Sequence, residues 1–233
     1  MDLKMNLVFM GTPDFAAKHL EALIAHPSEF RVPAVYTQPD KPQGRSGKPL
    51  PTPVKALALQ HSLPVTQVSH FKNEESVNAL KSWEPDLLIV VAYGMILPPP
   101  VLDIPRYGAI NIHASLLPQY RGASPIHQTL LNGDPETGVT SMLLDSGVDT
   151  GNILMQKKTP VSLQDDYTSL LEKLSRLECV ITIAQTLEAA AIREVDRIEA
   201  AEVDETKPRN PQSRWVALLL AESFPMAINL QFF

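Results

Sequence analysis

"MNLVFMGTPDFAAKHLEALIAH", residues 5–26, decides the fold. Its first six residues are apolar apart from Asn6, a pattern that a strand shows when both faces of its sheet are covered. From Thr12 onward the apolar residues recur at helical spacing, with Thr12 placed as N-cap and Pro13 as the first helical residue. A buried strand handed directly to a helix is half of a βαβ unit, and the chain repeats this rhythm. "VPAVYTQ" (32–38) reads as a second strand, "LPVTQV" (63–68) as a third, and "PDLLIVVAYG" (85–94) as the most apolar and most central of all. "GAINIHAS" (108–115) is a fifth strand, while "GVTSMLLD" (138–145) and "GNILMQKKTPV" (151–161) are two more. Helical patterns lie between them at "VKALALQHSL" (54–63), "NEESVNALKSW" (73–83) and "SPIHQTLLNG" (124–133), the last with Ser124 as cap and Gly133 just past its end. A long helix is expected from Asp165 and Asp166 to about residue 194. The pattern predicts an α/β fold: a Rossmann-like, mostly parallel twisted sheet with helices on both faces.

Bulk properties narrow the function classes. At 233 residues and 44% hydrophobic content the chain can bury one substantial core. A net charge of −6 argues against a surface that grips nucleic acid everywhere, although a local basic patch stays compatible with it. The lone cysteine, Cys179, has no internal disulfide partner and reads as a small buried hydrophobe in a reducing compartment. The N-terminal apolar run is too short for a signal peptide, and no stretch has the length of a membrane helix. The expectation is a cytoplasmic, monomeric protein with no membrane partner.

Candidate chemistry gathers at the end of the fifth strand. Side chains alternate along a strand, so Asn111, His113 and Ser115 share one face. In an open α/β sheet, ligands bind beyond the carboxyl ends of the strands, and Pro118 turns the chain out of the sheet at that point. The loop "LDSGVDTG" offers a carboxylate to the same edge if the sheet is parallel or nearly so there. Asp145 and Asp149 are both candidates, and spacing alone does not choose between them. Rival chemistries lack their patterns: "GTPDFA" misses the second glycine of a dinucleotide fingerprint, there is no P-loop or Gly-x-Ser-x-Gly elbow, and the six histidines show no metal-ligand spacing.

Five motifs in order then point to a family. "GTPDFA", "TQPDKPQGR" followed by "TPVK", "VVAYGMILP", "NIHASLLPQYRGASPI" and "TGVTSMLLDSGVDTGNIL" together resemble the N-terminal, formyl-transferring domain of the methionyl-tRNA formyltransferases over residues 5 to 205. The wider folate-dependent superfamily shares Asn-x-His and a later Asp. Asn111 and Asp149 lie at the family's spacing, so the resemblance favours Asp149 over Asp145. It implies 10-formyltetrahydrofolate as co-substrate, no metal, and the α-amine of methionyl initiator tRNA as acceptor. It further implies catalytic roles for Asn111, His113 and Asp149, and folate binding by Ser115, Leu116, Leu117 and Pro118 with Met95, Ile96 and Leu97 in the apolar wall.

The proline-rich stretch "PDKPQGRSGKPLPTP" (39–53) reads as a loop, because its five prolines oppose regular structure. It carries Lys41, Arg45 and Lys48 against Asp40. The resemblance makes it the segment that reaches the tRNA acceptor end, with Arg45 the first candidate for contact. Two departures stand out: Asn152 occupies a position where the family usually has Asp, and the chain ends where a basic C-terminal domain would begin. The expected organisation is a catalytic domain over 1–205, followed by a linker and short apolar tail over 206–233 in place of that tRNA-binding domain. Two other functions fit the same motifs: formyl transfer to a small amine such as an amino sugar or ribonucleotide, and a non-catalytic folate-binding remnant.

Overall fold

The computed structural model describes residues 4–28, 30–42 and 48–177. The tail expected over 206–233, Cys179, Arg45 and the helix beyond residue 177 lie outside the described residues.

The architecture is three-layered. Strands β1 (Met5–Gly11), β2 (Phe30–Arg31), β3 (Val35–Thr37), β6 (Val65–Gln67), β7 (Leu87–Val91), β8 (Ala109–His113), β9 (Glu136–Leu143) and β10 (Ile153–Pro160) form one sheet, in the order β10-β9-β8-β7-β1-β3-β6, with β2 pairing the start of β1. Pairing is parallel from β6 through β8. It turns antiparallel at β8–β9 and stays so at β9–β10. The chain begins at β1, builds outward through β3 and β6, then returns to the other side of β1 with β7, so strand order reverses between β1 and β7.

Alternation along the strands sorts two cores. Leu7, Phe9, Leu87, Ile89, Ile110 and Ile112 face one layer, and Val8, Met10, Leu88, Val90 and Ala109 the other. The first face is covered by α1 (Asp14–Ile24), α2 (Pro53–Gln60), α5 (Pro125–Asn132) and α6 (Tyr167–Ser175). The second is covered by α3 (Glu74–Lys81) and the short α4 (Pro99–Leu102). Strand β7 is buried at all five positions, which explains its unbroken apolar sequence. Close approach is built in at Gly11, where a Cβ would come within 2.6 Å of the Ala16 Cβ and 2.9 Å of the Val91 carbonyl oxygen. None of the described helices is long and apolar enough to cross a membrane.

Several local expectations need correction. Pro13, not Thr12, occupies the N-cap of α1, and the Thr12 hydroxyl instead donates to the Tyr93 carbonyl (2.9 Å), tying the β1–α1 turn to the end of β7. Ser124 sits at the N-cap of α5 in a left-handed conformation without a side-chain cap bond. The segment 39–53 is not wholly irregular: β4 (Lys41–Pro42) and β5 (Pro49–Leu50) pair as a short antiparallel ladder, which tolerates proline because it is an isolated two-strand piece. Strand β8 stops at His113, so Ser115 lies beyond the regular alternation. By contrast Asn73 caps α3 and Asp166 caps α6, the latter in a reciprocal capping box with Ser169.

His19, on the buried stripe of α1, is 2% exposed; its Nδ1–H donates to the Phe15 carbonyl, and its Nε2 has no partner among the described residues. Burial holds its pKa down at about 4, against an ordinary 6.5, with the Phe15 bond opposing weakly. The folded state thus keeps a neutral ring while the unfolded chain takes up a proton below about 6.5, so stability falls as pH drops from about 6.5 towards 4. Urea unfolding at pH 7 and pH 5 is expected to show a loss of about 2 kcal/mol from this residue, and His19→Leu should remove that increment.

Candidate active site

A cavity of about 610 Å³ opens where the strand order reverses, at the carboxyl ends of β1, β7 and β8. The size suits a small organic ligand, and crevices of doubly wound sheets form at such points. One wall is apolar, made by Met95, Ile96, Leu97 and Leu102 after β7, with Leu144 and Val148 contributed by the β9–β10 loop. Ile96 and Val148 are 74% and 55% exposed at its mouth. The other side is lined from α1, α5 and α6 by Phe15, Pro125, His127 and Tyr167. The His127 and Tyr167 rings stack with centroids 4.5 Å apart.

Asn111 and His113 reach this cavity from β8 and are nearly buried, at 9% and 7% exposure. The partner carboxylate arrives by a route the sequence did not disclose. Because β9 runs antiparallel to β8, the loop after it starts beside Ala109, where the Leu144 N–H donates to the Ala109 carbonyl (2.8 Å). It then doubles back over the face of β8, and Asp149, in the left-handed region at φ 51°, turns its carboxylate onto the polar pair. Asn111 Nδ2 donates to Asp149 Oδ1 (3.2 Å), the Gly122 N–H donates to Oδ2 (2.7 Å), and His113 Nδ1 lies 3.5 Å from Oδ2. On its other side the His113 Nε2–H donates to the Tyr120 carbonyl (2.9 Å). The ring is thus held between a carboxylate on one side and a carbonyl on the other. Asn111 uses one of its two amide hydrogens on Asp149 and has no other side-chain bond among the described residues. The constellation can therefore present an amide donor and an imidazole to a carbonyl oxygen that gains negative charge.

The two loop aspartates have different tasks. Asp145 accepts from the Gly147 N–H (2.9 Å) and the Thr150 hydroxyl (2.8 Å), closing the loop on itself. Only Asp149 meets the polar pair. Met95, Ile96 and Leu97 line the cavity as expected, whereas Ser115, Leu116, Leu117 and Pro118 are not among its lining residues. Ser115 is fully buried and donates to the Gln119 carbonyl (2.6 Å). The Leu117 N–H donates to Thr140 Oγ1 and its carbonyl accepts from Gln156 Nε2, which fixes this turn behind the site; its Leu117–Pro118 peptide is cis. Through these bonds the turn braces the site. Tyr120 and Gly122 were missed altogether, since both work through backbone groups; the only trace was Gly122 in a turn, where it sits at φ +84°. Lys41 and Lys48 are exposed, and the Lys41 ammonium donates to Gln38 Oε1 (2.9 Å). No cluster of three or more His, Cys, Asp or Glu able to hold a metal occurs among the described residues.

An α/β sheet with amide, imidazole and carboxylate gathered in a crevice at its switch point defines a class of enzymes that act on polarised carbonyl groups. Comparison narrows this class. Residues 5–186 match the family model described as formyl transferase, and the chain belongs to that family. It is similar to a methionyl-tRNA formyltransferase from Ectopseudomonas mendocina, with 53% identity over 173 residues, covering 74% of this chain and 54% of that protein. A protein of the same description from Citrifermentans bemidjiense is 47% identical over 187 residues, covering 80% and 58%. The chain thus spans a little over half the length of these curated relatives. Among solved structures, a phosphoribosylglycinamide formyltransferase from Bacillus halodurans superimposes with a TM-score of 0.66 at 23% identity, covering 78% of this chain and 95% of that one, which shows the shared fold.

The clamp makes a direct prediction. Asp149→Ala removes the acceptor of the Gly122 N–H, a bond to a charged group worth about 1.5–3 kcal/mol. Hydrogen exchange at the Gly122 amide is expected to accelerate by about tenfold to a hundredfold, read by NMR, while amides in β1 and β7 keep their protection.

Proposed function

We propose that this chain transfers the formyl group of 10-formyltetrahydrofolate to the α-amine of methionine carried on initiator tRNA, in the cytoplasm. The observation that carries the proposal is the convergence of Asn111, His113 and Asp149 in one cavity beside an apolar wall. The names of the relatives support the same acceptor.

The donor's flat ring system suits the wall of Met95, Ile96, Leu97 and Leu102, and its formyl carbon would then lie next to Asn111 and His113. The amine nitrogen attacks that carbon, and the carbonyl electrons move onto oxygen. The spare amide hydrogen of Asn111 and the His113 imidazolium stabilise the oxyanion. Collapse of the intermediate breaks the bond to the folate nitrogen, and the proton lost by the amine ends on that leaving nitrogen. Asp149 orients the imidazole, and among the described residues it is the carboxylate beside the pair through which that proton can pass. Lys41, Lys48 and Arg45 are proposed contacts for the acceptor end of the tRNA, where ammonium and guanidinium groups meet phosphates.

Formylation of charged initiator tRNA, followed with labelled donor, tests the reading. His113→Ala is expected to lower kcat by about 10²–10⁴-fold. Unchanged turnover in that variant removes His113 from the chemistry.

A further inference from the structure

A single side chain joins the proline-rich hairpin to the apolar wall of the cavity. Gln38 follows β3 directly; its Nε2 donates to the Gly94 carbonyl (2.7 Å), and its Oε1 accepts from the Lys41 ammonium (2.9 Å) at the start of β4. The orientation of the amide follows from its partners. An ammonium has only hydrogens to give and a carbonyl only lone pairs, so oxygen must face Lys41 and nitrogen must face Gly94. The backbone of Gln38 is held as well, because Gln67 Nε2 donates to its carbonyl (2.8 Å) and to Asp40 Oδ1 (2.7 Å). Asp40 in turn pairs with Lys55 of α2 at 2.6 Å. Lys55, and after it Gln67, hold the Asp40 carboxyl below the usual carboxylate range.

Gly94 is the receiving end. It has φ +76°, and a Cβ there would stand 2.7 Å from Gln38 Nε2. It opens the segment Gly94–Leu97 that lines the cavity, while Gln38 and Lys41 themselves do not line it. We propose that Gln38 is a positioning residue for the formyl donor: its amide, oriented by Lys41, fixes the Gly94 peptide and with it the Met95–Leu97 wall. The inference rests on the reading of this cavity as the donor site, and it adds a residue outside the cavity to the determinants of donor affinity.

The test measures binding of 5-formyltetrahydrofolate to the full chain by calorimetry, with the thermal midpoint recorded in parallel. Gln38→Glu keeps an oxygen for Lys41 but sets a carboxylate against the Gly94 carbonyl; Gln38→Met removes both bonds. Lys41→Glu reverses the cue that orients the amide and draws its nitrogen away from Gly94. All three variants are expected to raise Kd by about three- to tenfold, the worth of one partly exposed hydrogen bond, with the thermal midpoint within about 2 °C of wild type. Lys41→Glu tests the orienting bond alone, since it leaves Gln38 itself unchanged, and wild-type affinity in that variant overturns the orienting role given to Lys41. Wild-type affinity in Gln38→Glu and Gln38→Met overturns the proposal, as does a loss of affinity that only tracks a fall in thermal midpoint. Failure of the wild-type chain itself to bind the folate overturns the donor-site reading together with the proposal, and so is distinguishable from failure of the proposal alone.

Discussion

The carboxylate of Asp149 is the tie on which the site depends. Its oxygens accept from Asn111 on β8 and from the backbone of Gly122 in the following turn, and they face His113, so three stretches of chain meet at one charge. A carboxylate with only 11% of its side chain exposed is costly to desolvate unless donors surround it, and here an amide, a peptide N–H and an imidazole do so. The arrangement holds only while all parts are present: removing the charge leaves the polar groups of β8 facing an apolar crevice.

That tie is possible because the sheet changes direction. A parallel β9 would have released its loop beyond the carboxyl edge, as the sequence reading supposed. The antiparallel β9 releases it beside Ala109 instead, and the loop must run back along β8 to reach His113. The self-closing bonds of Asp145 shape this return, and the left-handed backbone at Asp149 aims the carboxylate inward. Leu144 and Val148 meanwhile complete the apolar wall. One irregular segment therefore supplies both charge and hydrophobic cover, on a base made rigid by the buried β1–β7 pair.

Much of the fold was legible because hydrophobic periodicity reports burial directly. The run 87–91 is apolar at every position since both sheet faces are covered there, and the stripe Phe15, His19, Leu20, Leu23 of α1 follows helical spacing. Alternation along β8 likewise placed Asn111 and His113 together. Strand direction was not legible: β9 looks the same in sequence whether it pairs parallel or antiparallel. Backbone partners were equally hidden, since Tyr120 and Gly122 act through groups every residue has. The bracing of the turn 115–118 was hidden for a related reason, because Thr140 and Gln156 hold it through the backbone of Leu117. Spacing alone left Asp145 and Asp149 open; the family resemblance favoured Asp149, and the path of the loop shows how that carboxylate reaches the pair.

The two-strand antiparallel extension bears on how the molecule behaves in company. Among the described residues β10 ends the sheet on that side, and such a boundary offers unpaired backbone groups to any passing strand. Here it carries Lys157 and Lys158 in mid-strand and closes on Pro160, with Lys158 held by Glu136 across the ladder at 2.8 Å. A second copy of this chain trying to add itself there would meet like charges along the strand and a missing N–H at its end, so the border discourages edge-to-edge association.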